Sequence, residues 1–135
     1  MTRLRRTLAG LSADRRGAAA VEAAFVLPLL LLLLLGVIEF GRMAWARSSL
    51  DFAVQEAARC AVVRTDVCGT PAATAQYAAN RLATFKVPAQ AFTVTPGLPC
   101  GVRVRARYEY RLVTVAMVAE AFGGAPTLTA EVCRA

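Results

Sequence analysis

The sequence predicts an α+β chain in which a long N-terminal transmembrane α-helix continues into a small exported domain with a second helix and a short antiparallel sheet. Three observations carry that reading. Ala18–Ile38 is an apolar stretch interrupted only by Glu22 and Pro28, and it contains seven consecutive leucines, Leu29–Leu35. From Arg42 to Val63 there is neither Pro nor Gly, and apolar residues recur at helical spacing. Beyond Pro88 the pattern changes to period 2, the mark of strands. Composition agrees: of 135 residues, 57% are apolar and 19% charged. An ordinary soluble domain has about 25% charged residues, and a disordered chain lacks this apolar content.

Residues 1–17 form a basic leader, with Arg3, Arg5, Arg6, Arg15 and Arg16 against Asp14, or +4 of the total +7. The positive-inside rule puts this leader in the cytoplasm and the C-terminal part outside, so the expected location is the inner membrane. Residues 18–47 form the transmembrane helix and its exit, and residues 48–135 the exported α+β domain. Ala18–Ile38 would span roughly 31 Å as a helix, enough for the hydrocarbon layer. Without Glu22 the uncharged stretch Ala23–Ile38 reaches only about 24 Å, so Glu22 must be protonated, paired or near the interface. Pro28 removes the bond to the Ala24 carbonyl and is expected to bend the helix or open a turn. Trp45 fits an interfacial anchor on the far side.

The helix is expected to run from Ala18 to Val63, with Leu50, Val54, Ala57, Ala58, Ala61 and Val62 on its packed face. Thr70 can cap and Pro71 suits a first turn, so Ala72–Phe85 reads as a second helix burying Tyr77, Ala78, Leu82 and Phe85. Phe92–Thr95 is a short strand closed by Pro96–Gly97. Gly101–Leu112 alternates, with Val102, Val104, Ala106, Tyr108, Tyr110 and Leu112 on one face and Arg103, Arg105, Arg107, Glu109 and Arg111 on the other. One buried and one wet face is the habit of an antiparallel sheet. Thr114–Phe122 reads either as continued strand or as a short helix. Leu128, Ala130 and Val132 mark the last strand.

Cys60, Cys68, Cys100 and Cys133 all fall on the expected exported side, where disulfides persist. Three pairings are open. Antiparallel pairing of the last two strands brings Cys100 near Cys133, leaving Cys60 with Cys68 to pin the end of the long helix. Parity disagrees in one respect: Cys100 shares the buried face, whereas Cys133 lies opposite Val132.

The chain contains no histidine, which removes Ser–His and Cys–His pairs and histidine-containing metal sites. Nor is there a nucleophile elbow, a phosphate loop or metal-ligand spacing. No enzymatic activity, cofactor or metal is therefore expected. The arginine stripe reads as a solvated sheet face. Tyr108 and Tyr110 have the opposite parity, so no nucleic-acid platform is expected.

The most informative stretch is Arg15-Arg16-Gly17-Ala18-Ala19-Ala20-Val21-Glu22, a basic leader ending in glycine with a carboxylate five residues on. It resembles a type IV prepilin cleavage site. With Glu39-Phe40-Gly41-Arg42 and Ala57-Ala58-Arg59 downstream, the chain is similar to TadE-like proteins, minor pseudopilins of the tight-adherence (Tad/Flp) pilus. The resemblance is strongest over Arg15–Arg59 and loose in the final strands. It implies that a prepilin peptidase cuts between Gly17 and Ala18. It further implies a non-enzymatic subunit acting in Tad pilus assembly and surface adhesion, with other pilin or pseudopilin subunits as partners and the pilus or cell surface as its destination after processing. Glu22, costly in lipid at about 2.5 kcal/mol or more if ionised, then meets the new amine of a neighbouring subunit. Two alternatives stay open: a secreted soluble protein cut at the Ala44-Trp45-Ala46 site, and an uncleaved single-pass membrane protein.

Overall fold

The computed structural model describes residues 15–113 and 123–135. Most of the basic leader (1–14) and the ambiguous segment 114–122 lie outside the described residues. The chain divides between Ile38 and Glu39 into two units.

Helix α1, Arg15–Val63, is 49 residues long and unbroken across Pro28, Gly36 and Gly41. It begins three residues earlier than the apolar pattern suggests. In the first unit its apolar side chains are open on every side: Phe25 is 78% exposed, and even Leu35 is 37% exposed. A helix apolar all round belongs in an apolar surrounding. The helix is long and apolar enough to cross a membrane.

In the second unit α1 has two distinct faces. Ala46, Leu50, Ala53, Val54, Ala57, Ala58 and Cys60 are buried, whereas Phe52, Val62 and Val63 are exposed. Val62 thus falls outside the packed face expected for it, about 140° round the helix from Ala57 at 100° per residue. Helix α2, Thr65–Cys68, turns the chain. Helix α3, Pro71–Arg81, starts as its sequence dictates: Thr70 Oγ1 accepts from the Ala73 amide at 3.1 Å, and Pro71 opens the first turn. It ends four residues short of Phe85. Leu82 leaves helical geometry, Ala83–Phe85 forms a 3-10 turn, and Lys86 takes a left-handed φ of 50°. Tyr77 and Phe85 are consequently half-buried, and Leu82 is the fully packed residue there. Alanines of α1 and α3 share one buried core, Ala46, Ala53, Ala57 and Ala58 with Ala75, Ala78 and Ala79.

A second 3-10 turn, Ala89–Ala91, leads into β1 (Phe92–Leu98), β2 (Gly101–Glu109) and β3 (Thr127–Arg134). They form one antiparallel sheet in the order β1-β2-β3. Strand β1 continues through Pro96–Gly97 after a register shift, where the sequence suggests closure. Strand β2 ends at Glu109 rather than Leu112, although the Tyr110 amide still donates to the Pro126 carbonyl at 2.9 Å. Val104, Ala106, Leu128 and Ala130 bury the face predicted for them, and Phe92 of β1 is buried with them.

Both disulfides are formed, Cys60–Cys68 with a Cα separation of 5.7 Å and Cys100–Cys133 with 5.8 Å. The parity conflict disappears because Cys100 lies in the turn before β2, outside strand alternation. Gly101 makes that turn possible at φ 94°, and an added Cβ would strike the Arg134 carbonyl and Ala135. Gly101→Ala is therefore expected to cost roughly 1–3 kcal/mol, read as a lower urea midpoint for the full chain in detergent. An unchanged midpoint would contradict this packing.

Candidate functional site

The processing and assembly residues named from sequence all lie on the first part of α1. Gly17 and Ala18 are exposed in the opening helical turns, and nothing lies within 4 Å of the position a Gly17 Cβ would take. The Gly17–Ala18 bond is therefore helical rather than extended, and cleavage there would require the first turn to unwind. That turn is the easiest to unwind, since end turns fray and glycine costs a helix about 1 kcal/mol relative to alanine. Glu22 stands one turn beyond Ala18, on the same side of the helix. It is exposed, and no hydrogen bond or ion pair reaches it from any described residue. Pro28 follows six residues later.

A second carboxylate, Glu39, is treated quite differently. It is the first residue after the apolar run and only 2% exposed. The Tyr110 hydroxyl donates to its Oε1 at 3.1 Å and the Val113 amide to the same oxygen at 3.3 Å. Arg42, one turn on, faces Oε2 at 3.6 Å. Glu39 therefore ties α1 to the chain just after β2. Sequence reading placed Glu39 only within a family-like stretch and as a flanking charge. The available signal was the Glu39–Arg42 spacing directly after an apolar segment, but nothing in the sequence pointed to Tyr110.

Tyr110 itself is buried. Its hydroxyl pKa is raised above 10.0, first by burial and then by hydrogen bonding and charge from Glu39. The folded unit therefore keeps a proton that the unfolded chain loses as pH rises through 10. This contribution to stability is complete below pH 10 and disappears as pH climbs through the raised native value. In alkaline titration, phenolate absorbance should show one tyrosine ionising late, and Tyr110→Phe should delete that step. If the step survives the substitution, the assignment is wrong.

The outer sheet face is less open than an all-arginine stripe suggests. Glu131 on β3 sits between Arg103, whose Nε is 3.2 Å away, and Arg105, whose Nη2 is 2.7 Å away. The register places Arg105 directly opposite Glu131 and Arg107 opposite Thr129. Such pairs are half-exposed and add little stability. They neutralise part of the stripe, and Arg107 and Arg111, both exposed, take no part in these pairs. Elsewhere, Arg59, Arg64 and Arg81 border a cleft of about 250 Å³ beside Cys60. The Tyr77 hydroxyl lies 2.6 Å from Arg81 Nη2, and this bond is the main cause raising the Arg81 pKa. Among the described residues no three acidic, cysteine or histidine side chains converge as a metal site requires.

An N-terminal apolar helix and a small α+β unit held by disulfides fit a membrane-anchored, pilin-like protein. Residues 17–59 match the family model for TadE-like protein, the family that the residue pattern resembles. The match begins at Gly17 and ends at Arg59, so it covers the apolar helix, Glu22, Glu39 and most of the packed half of α1. No curated protein and no solved structure matches the chain.

Proposed function

We propose that this protein is a minor pseudopilin of a Tad pilus, a structural subunit with no chemistry of its own. A prepilin peptidase removes residues 1–17 at the cytoplasmic face, and the α+β unit stands outside. The observation that carries this reading is Glu22. An exposed carboxylate one turn past a glycine, inside an otherwise apolar helix, is costly in lipid if ionised, and a cationic partner offsets that cost. No described side chain of the same molecule supplies one. The amine of Ala18, freed by cleavage on another pilin or pseudopilin subunit, has the required charge, and pairing with it sets axial register as subunits leave the membrane. Two disulfides support placement of the α+β unit in an oxidising compartment.

Two measurements test the reading. N-terminal sequencing should find Ala18 first. A start at Arg47 would support the secreted alternative, and Met1 would leave an uncleaved anchor. Glu22→Ala is expected to insert and to keep both disulfides yet reduce piliation by roughly tenfold or more, the loss of a charge pair in a low-dielectric surrounding. Normal fibres in that variant would remove the register role.

A further inference from the structure

The end of α1 and helix α3 meet around a cleft of about 250 Å³ that lies wholly within the Glu39–Ala135 unit. Arg59 borders it from the last turns of α1, Arg64 from the residue just past that helix, and Arg81 from the end of α3. Arg81 is held in place twice by one side chain. Its Nη2 donates to the Tyr77 hydroxyl at 2.6 Å, and its guanidinium stands 5.0 Å from the centroid of the Tyr77 ring. All three arginines are exposed, and among the described residues no carboxylate lies within ion-pair distance of any of them. Glu56 is the acidic side chain on the lining. One wall is apolar, where Val63 is 69% exposed.

We infer that this cleft docks an acidic segment of a different protein, one that presents a glutamate or aspartate side chain beside an apolar residue. Arginine forks hold carboxylates by paired hydrogen bonds, and three of them against one acid leave the cleft with unmet positive charge. The apolar wall sets the second requirement. A bare inorganic anion would leave Val63 in water, whereas an apolar neighbour of the carboxylate covers it. Charge also selects against a second copy of this chain: the Glu39–Ala135 unit carries 11 basic and 7 acidic residues, so two such units repel and an acidic partner is drawn in. The groove lined by Lys86, Arg107 and Arg111 is cationic too, but among the described residues no side-chain hydrogen bond fixes any of those three. Tyr77 instead sets Arg81 in advance, which lowers the ordering cost of binding. The inference needs neither the apolar helix in a membrane nor cleavage after Gly17.

The test is fluorescence anisotropy of the full chain in detergent with a labelled peptide of alternating glutamate and valine, set against its glutamine–valine counterpart. The acidic peptide should bind with an affinity that falls as salt rises, and the neutral one should not bind. R59Q/R64Q/R81Q should weaken binding roughly 10- to 100-fold, whereas K86Q/R107Q/R111Q, with the same loss of charge elsewhere on the unit, should bind as before. Tyr77→Phe keeps the ring but not the bond to Arg81, so it should weaken binding roughly threefold to fivefold, and it serves as the second arm should the triple variant misfold. Equal binding of the two peptides, equal loss in the two triple variants, or an unchanged affinity in Tyr77→Phe overturns the assignment. So does displacement of the peptide by an equal concentration of inorganic phosphate, which supplies charge alone. Self-association of the chain that R59Q/R64Q/R81Q abolishes would make a second copy the occupant and overturns it too.

Discussion

Replacing Glu39 with alanine is expected to lower the unfolding midpoint of the Glu39–Ala135 unit by roughly 10–20 °C, measured on the full chain in detergent. The substitution strips acceptors from two donors at once, the Tyr110 hydroxyl and the Val113 amide. Tyr110 is buried, so its hydroxyl cannot recover a bond from water. Hydrogen bonds to a carboxylate contribute about 1.5–3 kcal/mol, and a buried donor left unpaired costs a further 1–3 kcal/mol or so. Arg42 loses little by comparison, since its side chain is 44% exposed. Glu39→Gln keeps an acceptor oxygen and should lose about half as much. If alanine and glutamine leave the midpoint unchanged, α1 is held to the sheet by apolar packing alone.

Removing the two disulfides should produce unequal losses. Cys100 and Cys133 are 33 residues apart, and closing a loop of that length restricts the unfolded chain by about 3.7 kcal/mol on the loop-entropy relation. Cys60 and Cys68 are 8 apart, for which the same relation gives about 2.5 kcal/mol. C100S/C133S is therefore expected to be the more destabilised double variant in urea. The reverse order would show that the Cys60–Cys68 bridge mainly fixes native geometry at the end of α1.

Periodicity made most of this architecture legible. The long helix, the Thr70–Pro71 helix start and the alternating face of β2 follow from spacing and capping chemistry that act locally. Where sequence reading missed, the cause was tertiary. Leu82 takes the core position that a continued helix would have shared with Tyr77 and Phe85, and Lys86 then reverses the chain. Cys100 looked like a strand residue because alternation extends to it by chance, whereas Gly101 shows that a turn intervenes. Glu22 could be singled out because a charge inside an apolar run is conspicuous. Glu39 could not, because a carboxylate at the end of such a run usually meets water, and only the fold brings Tyr110 to it across 71 positions.

The two covalent bridges also determine how the molecule yields to tension. A pull between α1 and Ala135 passes from Cys60 directly to Cys68 and from Cys100 directly to Cys133, bypassing everything enclosed. Strands β2 and β3 fall inside the second bypass, apart from the final residues of β3, and carry no stretching load however hard the ends are drawn apart. Within the Glu39–Ala135 unit the backbone that can extend under tension is confined to residues 39–60, 68–100 and 133–135, so the unit gives by uncoiling helix and peeling β1 before β2 and β3 are drawn out.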